Sequence, residues 1–200
     1  MKFFATLLTG YLLGSLLPAY FLTRLLTGKD IRTIGDGNAG TTNVFRNVGA
    51  FPGIITAFFD LSKGFTSVYL SHHVLGAPFP IAYLGGFAAI FGHILPFYLN
   101  FRGGQGAATA CGMLLYSLQR LAAAHPSPHF IWRDLLLLGI IALVVLAVTR
   151  TREYLAITVL PVLCYLIILR FAPATELYGA LLLSCFLLIV GTYNLLRLLQ

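Results

Sequence analysis

Charged side chains are scarce in this sequence of 200 residues: Asp, Glu, Lys and Arg together make up 10% of it. Soluble domains carry about 25% charged residues, so this chain cannot cover a water-facing surface. Cysteine is also scarce, since Cys111, Cys164 and Cys185 lie far apart inside apolar runs. Their odd number and spacing give no disulfide framework and no metal-binding knuckle. These absences exclude a soluble globular domain, a disordered tail and a small secreted scaffold.

Apolar residues fill the chain instead. They account for 58% of the sequence, and the mean hydropathy is +0.88. The formal net charge is +7, but the basic residues form no run or basic helix of the kind that indicates nucleic-acid binding. Basic residues of membrane proteins set topology and contact anionic headgroups. We therefore expect an integral membrane protein that contacts membrane lipids and no nucleic acid.

The apolar runs predict the number of membrane spans. A span needs about 20 apolar residues, and the first run is too long for a cleaved signal peptide and contains Pro18. We expect an all-α bundle of about seven transmembrane helices, or six if a short run is re-entrant, in one domain over residues 1–200. The charge-free runs are residues 3–23, 79–101, 103–119, 135–149, 154–169 and 177–196, and a seventh run, 48–70, is interrupted by Asp60 and Lys63.

Basic residues indicate the orientation of these spans. With seven helices, one side collects eight of them and the other side four, so the positive-inside rule predicts the N-terminus outside and the C-terminus in the cytoplasm. The expected location is a bacterial cytoplasmic (inner) membrane, with the polar loops facing the cytoplasm. The eight are Arg24, Lys29, Arg32, Arg46, Arg102, Arg150, Arg152 and Arg197, and the four are Lys2, Arg120, Arg133 and Arg170.

The longest polar segment, residues 28–49, contains a candidate phosphate site. Glycines permit close backbone approach, and successive N–H groups can surround an oxyanion, while an arginine adds a fixed cation. An ordinary polar loop is the alternative, and a dinucleotide fingerprint is rejected because no strand accompanies the G-x-G-x-x-G pattern. The candidate ligands are Gly37, Asn38, Gly40, Thr42, Asn43 and Arg46, with Asn38 also a candidate catalytic residue.

Two further polar elements fall on the same predicted side. Residues 102–106 open a membrane helix, whose N-terminus suits phosphate, although a tight turn that needs glycine would have the same composition. The end of the last run supplies an amide and a guanidinium. The candidate binding residues are Gly103, Gly104, Gln105, Gly106, Asn194 and Arg197.

Ionisable residues inside the spans have several readings. His93 is a candidate for proton handling, with hydrogen-bonded packing as the alternative. Asp60 and Lys63 lie three residues apart on one helix face, which predicts a structural ion pair. His129 and Asp134 match the H-x-x-x-x-D spacing of thioester-using acyltransferases, but they fall on the other predicted side, and we interpret the match as coincidence. No metal site follows from these residues.

With these residues in view, the chain resembles the bacterial acyl-phosphate-dependent glycerol-3-phosphate acyltransferases, which are small integral membrane enzymes. The resemblance covers most of the chain in order. Its motifs are Leu13-Gly14-Ser15 with Pro18; residues 35–46, similar to G-S-G-N-x-G-x-T-N-x-x-R; residues 60–64, similar to D-x-x-K-G; Gly92-His93 and residues 101–109, similar to G-H…F-K-G-G-K-G-x-A-T; and Asn194 with Arg197, similar to N-x-x-R-L.

The resemblance implies a seven-helix bundle whose cytoplasmic loops bind two phosphate-bearing substrates. The family moves an acyl group from acyl phosphate to the 1-hydroxyl of glycerol 3-phosphate, giving lysophosphatidate and phosphate. Acyl phosphate is already activated, so the reaction needs positioning and charge neutralisation and no covalent nucleophile. No cofactor is implied, and a partner enzyme would supply the acyl phosphate.

Four positions depart from the family pattern. Gln105 replaces a lysine, Asp36 replaces a serine, Tyr154 stands at the best match to a serine, and Gly191 replaces a histidine. Charge-assisted hydrogen bonds contribute about 1.5–3 kcal/mol each, so these changes should weaken phosphate binding. The alternative function is therefore a divergent relative that binds phospholipid or acyl phosphate without turnover. A small transporter is disfavoured because the polar residues gather at one face.

Overall fold

The computed structural model describes residues 1–124 of the chain. Its compact units are Met1–Ser117 and Leu118–Gln200. The described residues contain helical segments and no β-strand, so the all-α expectation holds for this part. The α-helices are α1 (Lys2–Ser15), α2 (Pro18–Thr27), α3 (Thr41–Asn47), α4 (Ala50–Tyr69), α5 (Phe79–Ile94) and α6 (Ala107–Ala124), with 3₁₀ turns at Ile31–Thr33 and Phe97–Leu99 and a π-helical turn at Leu70–Val74.

The first apolar run, which the sequence predicts as one membrane span, consists of two helices separated by a break. Proline has no N–H and its ring clashes with the carbonyl four residues earlier, so α1 ends before Pro18 and α2 begins at it. The hydroxyl of Tyr98 spans the break: it donates to the carbonyl of Ser15 (2.7 Å) and accepts from the N–H of Leu17 (3.2 Å). Two backbone groups that the break leaves without partners inside a helix are thereby hydrogen-bonded, as a membrane protein requires.

Small residues allow α1 and α5 to approach closely. A Cβ on Gly10 would collide with the carbonyl oxygen of Gly85, and a Cβ on Gly14 would collide with that of Ala89. The spacing of four residues on each helix is the small-xxx-small pattern of packed membrane helices. A glycine also allows α4 and α6 to approach closely, since Gly64 lies against the Thr109 carbonyl.

The distribution of polarity is the reverse of that in a water-soluble protein. On α1 the large side chains of Phe4, Leu8 and Leu12 are exposed, whereas Thr6 is fully buried. On α4 the buried face is polar, and its hydroxyl groups donate to backbone carbonyls four residues earlier, as Ser67 Oγ does to Lys63 (2.7 Å). An apolar exterior, with hydroxyl groups bonded back to the helix backbone as on α4, is typical of helices surrounded by lipid. The buried hydroxyl of Thr6 has no hydrogen-bond partner among the described residues.

Two described helical segments are long and apolar enough to cross a bilayer: Lys2–Thr27 and Phe79–Leu99. Helix α4 has the expected position and is 20 residues long, and the apolar part of α6 is shorter. The expected runs at 135–149, 154–169 and 177–196 lie outside the described residues. The count of seven, the orientation and the single domain over residues 1–200 therefore stay predictions.

Candidate functional site

One cavity of about 150 Å³ brings together segments that are far apart in the sequence. It lies between the loop before α3, the middle of α4, the end of α5 and the start of α6. Its lining residues are Asn38, Gly40, Thr41, Thr42, Asp60, His93, Gln105, Gly106, Ala107 and Ala108. Both glycine-rich segments singled out in the sequence thus contribute to one cavity.

The first glycine segment is held in shape from inside by Asn43. Its side chain is 1% exposed, and its Nδ2 donates to the backbone carbonyls of Ile31 (3.3 Å), Ile34 (2.8 Å) and Asn38 (2.9 Å). The Oδ1 atom accepts from Asn47 (2.8 Å). Asn43 was predicted as a substrate ligand, but it does not line the cavity, because its polar atoms are already bonded to the loop itself.

A brace formed by Asp30 and Arg32 fastens this segment to the turn after α5, through a hydrogen bond from Arg32. Arg32 contacts the Asp30 carboxylate at 2.6 Å and donates from Nη1 to the carbonyl of Leu99 (2.7 Å). The hydrogen bond from the Arg32 side chain holds the pKa of Asp30 below its usual value, against the opposing effect of partial burial. This brace ties the first glycine segment to the turn that follows α5.

Asp36 is not among the residues that line the cavity. Its exposed carboxylate accepts a hydrogen bond from the N–H of Asn38 (2.9 Å), a local turn that replaces a backbone interaction. Gly37 adopts φ +72° beside it and is likewise outside the lining. Arg46 is exposed one helical turn after Thr42, and so lies on the same face of α3 as that lining residue.

In the second glycine segment, the first two glycines have a structural use. The N–H of Gly103 donates to the carbonyl of Ile94 (2.9 Å), and that of Gly104 donates to His93 (3.1 Å). These bonds satisfy carbonyls at the end of α5 and occupy the N–H groups that the sequence assigned to phosphate. The lining begins only at Gln105, where the first turn of α6 supplies N–H groups without partners in that helix.

Three ionisable side chains meet at the cavity wall: Asp60 and His93 line the cavity, and Lys63 lies outside the lining. Asp60 Oδ1 lies 2.8 Å from Lys63 Nζ and 3.4 Å from His93 Nδ1. Asp60 is 1% exposed and His93 is 3% exposed, and both line the cavity. The hydroxyl of Thr41 is buried there too, with no hydrogen-bond partner among the described residues. The cavity wall therefore offers a hydroxyl, an imidazole and helix N–H groups to a ligand.

The sequence missed some of this wall. Thr41 and the backbone of Ala107 and Ala108 were not singled out, and Asp60 was given only a structural role. The pair of adjacent threonines at the start of α3 was the available signal for Thr41. Asn194, Arg197, His129 and Asp134 lie outside the described residues. Within residues 1–124 no three His, Cys, Asp or Glu side chains cluster as a metal site would require.

Comparison with known proteins identifies relatives over most of the chain. Residues 4–200 match the family model for glycerol-3-phosphate acyltransferase. Glycerol-3-phosphate acyltransferase 1 of Dehalococcoides mccartyi is 40% identical over 145 residues, covering 72% of this chain and 66% of the relative. The glycerol-3-phosphate acyltransferase of Macrococcus caseolyticus is 42% identical over 122 residues, covering 58% of each. The chain thus spans two thirds or less of the length of these curated relatives.

Two solved structures share the fold. They are crystal structures of PlsY, an integral membrane glycerol 3-phosphate acyltransferase, in a glycerol 3-phosphate form and a lysophosphatidic acid form. Each has a TM-score of 0.72 and 25% identity, and the match covers 100% of this chain and 92% of the other. Together with the apolar exterior, these matches confirm an integral membrane protein and the family resemblance carried by the motifs.

Proposed function

Since the chain belongs to the glycerol-3-phosphate acyltransferase family, we propose that it transfers an acyl group from acyl phosphate to the 1-hydroxyl of glycerol 3-phosphate. The products are lysophosphatidate and inorganic phosphate. The observation that carries the proposal is that both glycine-rich segments line one and the same cavity in the described part of the chain. A site built from two such segments suits a reaction that holds two phosphate-bearing molecules side by side.

The cavity supplies donors for a phosphate group at one end. Gln105 and Gly106 precede α6, where unpaired N–H groups and the partial positive charge of the helix end favour an anion. The buried Thr41 hydroxyl, which lacks a partner among the described residues, adds a donor from the opposite wall, beside Asn38 and Thr42. The acyl chain would remain in lipid or between helices.

The chemistry needs little beyond this positioning. The hydroxyl oxygen of glycerol 3-phosphate forms a bond to the acyl carbonyl carbon, the bond from that carbon to the phosphate oxygen breaks, and phosphate leaves. Holding the two molecules in contact removes most of the entropic cost of their encounter. His93, whose Nδ1 faces the Asp60 carboxylate at 3.4 Å, is the candidate to accept the hydroxyl proton, and Asn38 the candidate to orient the substrate.

Other predicted ligands have secondary places in this proposal. Arg46 would reach the site from the exposed face of α3, and Asn194 and Arg197 would close it. Asn43, Gly103 and Gly104 would act through the backbone that they hold. Gly37 and Gly40 would shape the first loop, with only Gly40 in the lining.

The proposed location is a bacterial inner membrane with the cavity open to the cytoplasm, where a partner enzyme supplies acyl phosphate. The excess of basic residues on that side supports it. Single cysteines introduced into the exposed part of residues 28–49 should resist labelling from outside intact cells and react after permeabilisation. Labelling from outside would contradict this orientation.

The decisive experiment is an acyl-transfer assay on the purified chain with a long-chain acyl phosphate and glycerol 3-phosphate. We expect release of phosphate and formation of lysophosphatidate, and loss of both in Arg46→Ala. Arg24→Ala is the matched control, since Arg24 is also exposed in the last turn of a short helix. His129→Ala and Asp134→Asn should leave turnover unchanged.

One observation favours the alternative of binding without turnover: Gln105 places a neutral amide in the lining where the family pattern has a lysine. Under that alternative the purified chain would bind phospholipid or acyl phosphate and release no product. Loss of turnover in His129→Ala, with Arg46→Ala active, would contradict both readings.

A further inference from the structure

Lys63 connects two distant parts of the molecule through one ammonium group. Its Nζ atom lies 2.8 Å from Asp60 Oδ1 and donates to the carbonyl of Leu16 at 3.0 Å. The side chain is 7% exposed and that of Asp60 is 2% exposed. Neither charge is thus solvated by bulk water, and each depends on the groups around it.

The Leu16 carbonyl is a fixed acceptor because it lies at the break between α1 and α2. The backbone N–H groups of Tyr20 and Phe21 both donate to the next carbonyl, that of Leu17. The Leu16 carbonyl is therefore available to accept a hydrogen bond from a side chain of α4. The break, itself held by Tyr98, gives Lys63 an anchor that does not depend on the cavity.

Asp60 is the residue of the cavity wall that opposes the binding of an anion. Among the described lining residues it is the only one with a carboxylate, and none of them is a lysine or arginine. A carboxylate in the cavity wall repels a phosphate group, and a carboxylate as buried as that of Asp60 does so more strongly than one in water. The carboxylate of Asp60 lies beside His93 Nδ1 in the cavity wall. For an anionic ligand to bind there, another group has to balance the negative charge of Asp60.

We propose that Lys63 is a positioning residue that balances the charge of Asp60 and so allows the cavity to accept a phosphate group. Its bond to Leu16 keeps the ammonium behind the carboxylate, outside the cavity, where it occupies none of the ligand's space. The proposal rests on the proposed function for the identity of the ligand as a phosphate monoester. It gives the buried pair a role in affinity in addition to helix packing.

Replacement of the charges one at a time tests this. The probes are inorganic phosphate and glycerol 3-phosphate, and the readout is the dissociation constant for the full-length protein in detergent micelles. We expect Lys63→Met to weaken binding about tenfold or more, because it leaves Asp60 uncompensated. Asp60→Asn with Lys63→Met should recover most of the affinity, although it restores no bond to Leu16. Lys63→Arg should bind nearly as the wild type does.

Asp60→Asn alone gives an independent result that does not require Lys63 to be removed. It leaves the ammonium uncompensated behind the cavity and should tighten phosphate binding, while turnover falls because His93 loses its charged partner. Lys29→Met is the matched control, since it removes a lysine that is exposed outside the cavity, and we expect its affinity within about twofold of the wild type at moderate salt.

The outcomes separate this inference from the proposed function. If the wild type binds phosphate but the double variant binds as weakly as Lys63→Met, or Asp60→Asn also weakens binding, Lys63 serves only to secure the helix break and the inference is wrong. If Lys63→Met does not fold, the result for Asp60→Asn still decides the question. If the wild type binds neither probe, the proposed function fails and the inference fails with it.

Discussion

Gly104 lies against the imidazole of His93, so that a Cβ on Gly104 would collide with Nε2 of the ring and would lie 2.7 Å from the carbonyl oxygen of Ala39. The loop before α3, the end of α5 and the segment before α6 therefore meet at one residue without a side chain. The close approach sets the position of His93 in the cavity wall, and glycine is the residue that permits it.

We expect Gly104→Ala to reduce acyl transfer by more than tenfold per folded molecule. Overpacking of this kind costs about 1–3 kcal/mol, and relief would require the imidazole or the Ala39 carbonyl to move. The measurements are turnover and the midpoint of thermal unfolding. Gly28→Ala is the control: it has φ +71° but no atom within 4 Å of its Cβ, so it should lose stability and keep its turnover. Equal turnover for the two variants would contradict the packing argument.

Asn43→Ala should destabilise the protein through the loop before α3. The amide makes three hydrogen bonds to backbone carbonyls, and their loss should cost about 2–4 kcal/mol in the free energy of unfolding. Limited proteolysis after residue 28 and thermal unfolding would measure it. Asn47→Ala, which removes a less buried amide, should cost less. If Asn43→Ala lowered turnover with unchanged stability, the direct substrate contact predicted from the sequence would be correct after all.

Gln105→Lys should tighten binding of glycerol 3-phosphate about tenfold, since attraction between unit charges about 4 Å apart is on the order of 1–4 kcal/mol from bulk-water to protein-surface dielectrics. Gln105 is half-buried in the cavity wall. Because Asp36 is exposed and bonded to the Asn38 N–H, adding Asp36→Ser should bring little further gain. Isothermal titration of both variants would measure this. Unchanged affinity in Gln105→Lys would mean that the phosphate group does not bind at the N-terminus of α6.

The Asp30–Arg32 brace should make stability depend on pH in the acid range. The pKa of Asp30 is lowered in the fold, chiefly by its hydrogen bond from Arg32. The stabilisation of the folded state by the ionised Asp30 is therefore complete above the ordinary pKa of the carboxyl group. It is lost as the pH falls through the lowered value. The difference in thermal midpoint between wild type and Asp30→Asn should therefore be constant from pH 5 to 7 and shrink below about pH 4. A difference that grew on acidification would contradict this sign.

The sequence determined the class of protein because that depends on composition and local pattern. The scarcity of charge, the apolar runs and the order of the polar motifs pointed to a helical membrane protein of this family without reference to contacts. Pro18 carried a local signal as well: a proline inside an apolar run predicts a break, although the run length alone predicted one membrane span.

Only the tertiary structure decided which polar residues face the cavity. Asn43 and Gln105 are both amides in glycine-rich segments, yet one is bonded on all sides to its own loop and the other lines the cavity. Gly103 and Gly104 complete the end of α5, a role that depends on the carbonyls of Ile94 and His93, nine and eleven residues earlier in the chain. The meeting of Lys63 with Leu16 joins residues 47 positions apart. Such contacts depend on how helices cross and on which backbone groups are left unsatisfied, and neither can be read from residue types along one chain.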